Sequence, residues 1–305
     1  ALTLRGPASV VSTACSSGAK AFGEAAELVA AGLCDAALVG GVDSLCAMTL
    51  HGFGALELLA PGPCRPFAAD RDGISIGEAA AFALLERPAE GPGGRVSLLG
   101  YGASVDAHHM SHPHPEAQGA VLAIREALAS SGLAPADIDY VNFHGTGTKA
   151  NDAAEDLAVA RTVGRGPACS ATKGWTGHAL GASGALEAVI AAMCALGAAR
   201  ERIAAAIGPC IGQASYEVGA DLREAVLARH AADARFFAPG RRDGRWQFDL
   251  AGYCAACLAA AGIRRVASVG ADTAADAARF FSHRRRTLSG GGAIGHQISV
   301  IALPA

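Results

Sequence analysis

Cys15 stands in Ser12-Thr13-Ala14-Cys15-Ser16-Ser17-Gly18, between a short apolar run and the start of an amphipathic stretch. A thiol at a helix N-terminus meets unpaired backbone N–H groups and the positive end of the helix dipole, which favour the thiolate. The other eight of the nine cysteines read as small buried hydrophobes. His144 closes an apolar run and leads into Gly145-Thr146-Gly147-Thr148. Small residues there let a substrate approach the backbone, and two hydroxyls offer hydrogen bonds. His178 ends Lys173-Gly174-Trp175-Thr176-Gly177-His178, just before a Gly-rich helix start. A cysteine at a strand–helix junction with two loop histidines reads as a candidate nucleophile with an imidazole pair, against the alternative that each is structural.

These residues need elements to hold them. Residues 1–11 read as a strand, and 16–32 as an amphipathic helix with Phe22, Ala26, Leu28 and Val29 on one side. Ala36–Val42 reads as a buried strand, with further strands at Phe82–Leu85, Val96–Leu99 and 140–143. Helices are expected at 116–132, ended by Gly132, at 150–163 and at 181–197, with a strand and turn at 168–173. Beyond 197 the pattern gives a strand at 203–207, a helix at 219–230, a Gly/Arg/Asp loop at 239–245, a helix at 251–261 and strands at 266–269 and 297–303. Strands alternating with helices predict an α/β layered fold.

Composition narrows the function. Of 305 residues, 51% are hydrophobic and 17% charged, which excludes disorder, and the net charge of −3 gives no basic footprint for nucleic acid. No apolar run is long enough for a membrane span; the richest, 185–199, is short and broken by Glu187. Scattered cysteines in odd number and no signal-peptide pattern predict reduced thiols in a cytoplasm. The first residue is Ala, inside the first expected strand, which predicts a truncated N-terminus.

Residues 1 to about 196 resemble the β-ketoacyl-[acyl-carrier-protein] synthases, the condensing enzymes of fatty-acid and polyketide assembly. The likeness rests on four motifs in order: Ser12–Gly18, Arg65-Pro66-Phe67 with Asp70-Arg71-Asp72-Gly73, His144–Thr148, and Lys173–Gly184. Ala68 stands where the family usually has Asp. The resemblance implies a thiolase-like fold and an acyltransferase using Cys15, His144 and His178. Cys15 would carry the acyl chain as a thioester; the histidines would assist decarboxylation of malonyl-carrier protein and stabilise the enolate and the oxyanion. Lys173 and Glu155 match the family's supporting ion pair, and Thr146 and Thr148 match positions that hold the phosphopantetheine arm. No bound cofactor is implied; phosphopantetheine arrives on acyl carrier protein, and a homodimer is implied. The stretch Asp106-Ala107-His108-His109-Met110 resembles an ordinary loop of these synthases, so the histidines from His108 to His114 read as loop rather than metal site.

A complete synthase has further strands before the nucleophile turn and a Gly-Phe-Gly-Gly-Thr-type closing loop. Neither is in this sequence, which predicts open sheet edges and an uncovered apolar face. From about Arg200 to Ala305 the chain resembles the C-terminal half of the laccase-domain (polyphenol oxidase or purine nucleoside phosphorylase-type) proteins. The likeness rests on Ile207-Gly208-Pro209-Cys210-Ile211-Gly212, Tyr216-Glu217-Val218-Gly219, Asp249-Leu250, Phe280–Arg285 and Gly295-His296-Gln297-Ile298-Ser299. That family's His and Cys metal ligands belong to motifs absent here, so no metal is expected. Cys254 and Cys257 fall within an expected helix and are too few for a structural zinc site.

The expected organisation is a truncated synthase-like domain over 1–196 and a laccase-domain-like segment over 197–305, spliced within the alanine-rich stretch 185–193. The leading function is decarboxylative condensation. The rivals are a metal-dependent oxidase or phosphorylase of the laccase-domain class, and a non-catalytic chimeric product.

Overall fold

The computed structural model describes residues 5–88, 96–109, 112–197 and 199–291. The expected strand 297–303 and the motif Gly295–Ser299 lie outside these, as do Met110 and Ser111 of the histidine loop. The chain divides into two compact units, Ala1–Leu196 and Gly197–Ala305.

The first unit runs α1 (Ser17–Ala30), β1 (Ala36–Asp43), α2 (Ala47–Ala55), β2 (Ala79–Glu86), α3 (Gln118–Ser131), β3 (Tyr140–Asn142), α4 (Lys149–Thr162), β4 (Ala168–Ser170), α5 (Lys173–Thr176) and α6 (Ser183–Ala195). Strands β1 and β2 pair antiparallel along their whole length, with Val39 opposite Ala83 and Gly41 opposite Ala81. Period-two alternation puts Val39 and Ala81 on one face, where both are buried beneath α1 and α6. The other face carries Leu38, Val42, Phe82 and Leu84, all exposed. Ala36–Val42 is therefore a half-covered strand and not the buried one expected, because only one face of the pair has a layer on it among the described residues.

Packing of α1 differs from the large apolar side expected. Its buried residues are Gly18, Gly23, Ala25 and Val29. Small residues let the backbones meet: a Cβ on Gly18 would lie 2.7 Å from Ala185 N, and one on Gly184 would lie 2.5 Å from Ala19 N. The first turns of α1 and α6 thus touch backbone to backbone, which fixes the nucleophile turn against the residues after His178.

Strands β3 and β4 pair parallel, Val141 opposite Cys169. Helices α3 and α4 close over a small core of Ala117, Val121, Ala154 and Ala158. Gly132 ends α3 in the left-handed conformation (φ 69°) that glycine adopts without a Cβ penalty. Residues 5–11 and 96–99, expected as strands, have no ladder partner among the described residues and run as irregular backbone.

The second unit runs β5 (Ala204–Ile207), β6 (Glu217–Val218), α7 (Ala220–Arg229), β7 (Phe237–Pro239), β8 (Trp246–Phe248), α8 (Leu250–Ala260), β9 (Arg265–Ser268) and α9 (His283–Leu288). Strands β5 and β9 pair parallel, while β6, β8 and β7 form an antiparallel ribbon in that order. Its core is Val218, Val226, Phe236 and Phe248, with Phe237 stacked on Phe248 at 4.6 Å between centroids. Both units mix helix and strand in layers, and no described helix is long and apolar enough to cross a membrane.

Candidate active site

The Cys15 turn is built from hydroxyls. Ser17 Oγ accepts from Thr13 N at 2.8 Å and donates to Ala14 O at 2.6 Å, and Ser16 Oγ donates to Thr13 O at 2.8 Å. The chain passes through Ala14 at φ 54°, a left-handed conformation rare for a residue with a Cβ. Cys15 lies in the 3₁₀ turn Ala14–Ser16, just ahead of α1.

His178 reaches it from the other side. Its backbone is clamped by the 75–77 segment: His178 N donates to Ser75 O at 2.7 Å, and Gly77 N donates to His178 O at 3.0 Å. Its ring Nε2 sits 2.9 Å from Cys15 Sγ and its Nδ1 3.0 Å from Ser183 Oγ. The His144 ring meets the His178 ring edge-on, 4.9 Å between centroids and 87° between planes. One ligating atom from each of Cys15, His144 and His178 lies within 4.8 Å of the others. Residues from three distant motifs thus converge on one point.

The ion pair expected between Lys173 and Glu155 does not form. Lys173 Nζ donates instead to Glu187 Oε1 of α6 at 2.6 Å, and Thr172 Oγ1 donates to the same oxygen at 3.0 Å. Glu155 turns to the backbone: Oε1 accepts from His144 N at 2.6 Å, and Oε2 accepts from Gly145 N and Asn151 Nδ2, both at 2.7 Å. An α4 carboxylate facing a loop of unpaired N–H groups is satisfied where it stands, so Lys173 takes the carboxylate on α6. Gly145 is required here, for its φ is 51° and a Cβ would lie 2.4 Å from Ala171 Cβ.

Asp152, which the motif reading passed over, ties the loops together. It is fully buried; Oδ2 accepts from Phe67 N at 2.8 Å and lies 3.4 Å from Arg71 Nε, while Oδ1 accepts from Gly147 N at 3.2 Å. It joins the Arg65–Gly73 loop to the His144 loop. The visible signal was Asn151-Asp152 with Glu155 one turn on, opening a helix behind the N-cap Thr148, whose side chain accepts from Asn151 N. Thr146 is buried and its Oγ1 lies 3.0 Å from Thr148 Oγ1. Ser183 was likewise missed, since nothing in sequence pairs it with an imidazole five residues earlier.

Electrostatics set the protonation states. Burial is the largest effect on His178, with the Lys173 ammonium adding to it, and together they hold its pKa down at about 4. Burial, then Lys173, then His178 push His144 well below the usual imidazole range. Burial also raises the Cys15 thiol, outweighing the lowering by Lys173 and by the backbone. The sequence favoured a thiolate at Cys15. The site instead holds a neutral thiol against a neutral imidazole, because α1 begins at Ser17 and desolvation exceeds what the helix end supplies. The half-buried Cys46 thiol is lowered instead, through its hydrogen bond with Thr49 Oγ1.

Among the described residues, the histidine loop brings its rings together in pairs and forms no cluster of three or more ligands. His109 and His112 approach through Nδ1 atoms 3.1 Å apart, and the His108 and His114 rings meet edge-on at 4.8 Å. Asp106 spends its carboxylate on the backbone N–H groups of His114 and Gly119. A cleft of about 480 Å³ opens beside the His144 loop, lined by Arg65, Phe67, Phe143, Cys169 and Trp175 among others.

Residues 1–90 match the β-ketoacyl synthase N-terminal domain family and residues 96–199 its C-terminal domain family. Residues 165–304 match the multi-copper polyphenol oxidoreductase laccase family. The 3-oxoacyl-[acyl-carrier-protein] synthase 2 of Rhizobium meliloti (strain 1021) is 42% identical over 205 residues, 62% of this chain and 48% of that protein. Among solved structures, a chain of the complex of the ketosynthase ApeO with its chain length factor ApeC from Xenorhabdus doucetiae is 49% identical with a TM-score of 0.58. That match covers 60% of this chain and 45% of that one. A type II polyketide synthase (AntDE:AntF), whose acyl-carrier protein is in complex with its ketosynthase, is 28% identical with a TM-score of 0.57, covering 62% and 50%. The chain spans about half the length of the curated relatives it matches. Residues 1 to about 196 are similar to β-ketoacyl synthases and carry part of the thiolase-like layered fold, and the residues beyond are similar to laccase-domain proteins. The two likenesses overlap over 165–199, which contains α6.

Proposed function

We propose that the first unit is the reacting part of a decarboxylative condensing enzyme. The observation that carries this reading is the 2.9 Å contact between Cys15 Sγ and His178 Nε2, with the His144 ring beside it. Neutral His178 takes the thiol proton as Cys15 attacks an acyl thioester. The acyl group moves to Sγ, and the carrier's thiol leaves with the proton. Malonyl thioester then loses carbon dioxide, its enolate carbon attacks the Cys15 thioester, a C–C bond forms and the C–S bond breaks. Two neutral imidazoles are available to donate N–H groups to the enolate and the oxyanion.

Thr146 and Thr148 are assigned to the phosphopantetheine arm of an acyl carrier protein, the partner that delivers both substrates. Lys173 and Glu155 support the histidines, Lys173 through its charge and Glu155 through the loop backbone. Domains of 1–196 and 197–305, a homodimer and a cytoplasmic setting complete the reading, with no resident metal. The test is acyl transfer from acyl-carrier protein, followed by peptide mapping. Cys15 becomes acylated, His178→Ala slows the transfer, and Cys15→Ala abolishes it. Acyl transfer undiminished in Cys15→Ala would refute the assignment.

A further inference from the structure

The Cys15 site holds one thiol and two neutral imidazoles, a donor set that borderline-soft divalent cations take. Three features equip it for that role. The donor atoms lie within 4.8 Å of one another, held by the turn ahead of α1, the His144 loop and the residues before α6. A tetrahedral zinc, with bonds of about 2.3 Å to sulfur and 2.0–2.1 Å to nitrogen, sets its donors roughly 3.3–3.6 Å apart. The 2.9 Å Sγ–Nε2 contact therefore needs to open by less than an ångström. Ligating histidines usually bond their second ring nitrogen to a fixed partner, and Ser183 Oγ supplies that for His178 at 3.0 Å. The nearby Lys173 ammonium opposes a cation, but Glu187 neutralises it at 2.6 Å, and the Asp43 carboxylate acts on Cys15 with the opposite sign.

We propose that Cys15, His144 and His178 also form a three-donor site for a thiophilic divalent cation, whose binding blocks the nucleophile. On binding, the Cys15 S–H bond breaks, its proton passes to solvent and a metal–sulfur bond forms, with no change in oxidation state. A water fills the fourth position. That the ion acts as an inhibitor rests on the condensation reading; that it binds does not.

The experiment follows the rate at which iodoacetamide alkylates Cys15 in the intact chain, with Cys46 as internal reference. Zinc at ten times its dissociation constant slows Cys15 roughly tenfold by mass action, leaves Cys46 unchanged, and is reversed by EDTA. Cobalt(II) in place of zinc gives a thiolate-to-metal charge-transfer band that Cys15→Ser removes. In His178→Ala, Cys15 is still alkylated but zinc no longer protects it. A Cys15 rate indifferent to zinc, or a cobalt band surviving Cys15→Ser, overturns the site. Acyl transfer to Cys15 that zinc does not slow sinks this proposal alone. Zinc protection of a Cys15 that accepts no acyl group sinks the condensation reading alone.

Discussion

At the scale of single residues, the depressed imidazoles link this site to stability. His178 titrates near 4 in the fold, against about 6.5 for a free side chain. Above pH 6.5 both states are neutral there and the group has no effect. As pH falls from 6.5 through 4 the unfolded chain takes up a proton that the fold refuses, so stability is lost over that window. The loss from His178 amounts to about 3 kcal/mol, and His144 adds in the same direction. Urea midpoints measured from pH 7.5 to 4 should fall steeply below 6.5, and His178→Gln should flatten the slope. A midpoint level across that range would show that His178 is not held neutral. The positioning residues were least legible at this scale. Glu187 lies fourteen positions from Lys173, and which of two carboxylates a buried lysine takes depends on what the other already holds.

At the scale of elements, motif order and periodicity carried most of the reading. Helices α3, α4, α7 and α8 begin and end close to where the apolar pattern and Gly132 put them. What failed had a physical cause. Helix α2 contains Gly52 and Gly54 and buries nothing, so it has no stripe to read. Residues 5–11 and 96–99 have strand-like composition, but a strand is made by its partner's hydrogen bonds. Contact between α1 and α6 was hidden because its signal is small side chains, which alanine-rich composition masks. Gly18→Val should lose about 3 kcal/mol by driving a side chain into the Ala185 and Gly181 backbone. It should also weaken Cys15 acylation, since the same contact seats the nucleophile turn. A thermal melt equal to that of the parent would mean that the helices separate freely.

At the scale of the whole molecule, the uncovered face of β1 and β2 matters most. Leu38, Val42, Phe82 and Leu84 are 49%, 46%, 41% and 61% exposed on one surface. Contiguous apolar surface of this kind drives association. Light scattering should give a mass that rises with concentration above the 30.5 kDa of one chain. Leu84→Lys, on the exposed face, should lower it without altering the melt. A single mass at every concentration would mean that the face is indifferent to partners. The broad class was readable from composition and four motifs, whereas the covering of each face was not, because it depends on which layers reach it.

The first two turns of α4 have a consequence for how this protein opens. Asp152 binds the amides of Phe67 and Gly147, and Glu155 binds those of His144 and Gly145. Four amides on two loops are thus latched by carboxylates one helical turn apart. Fraying of those two turns together would release them in the same event, so hydrogen–deuterium exchange should find them sharing one rate and one denaturant dependence. Asp152→Asn should accelerate all four together. If Phe67 exchanges independently of His144, the loops are separate units and the latch is only a coincidence of position.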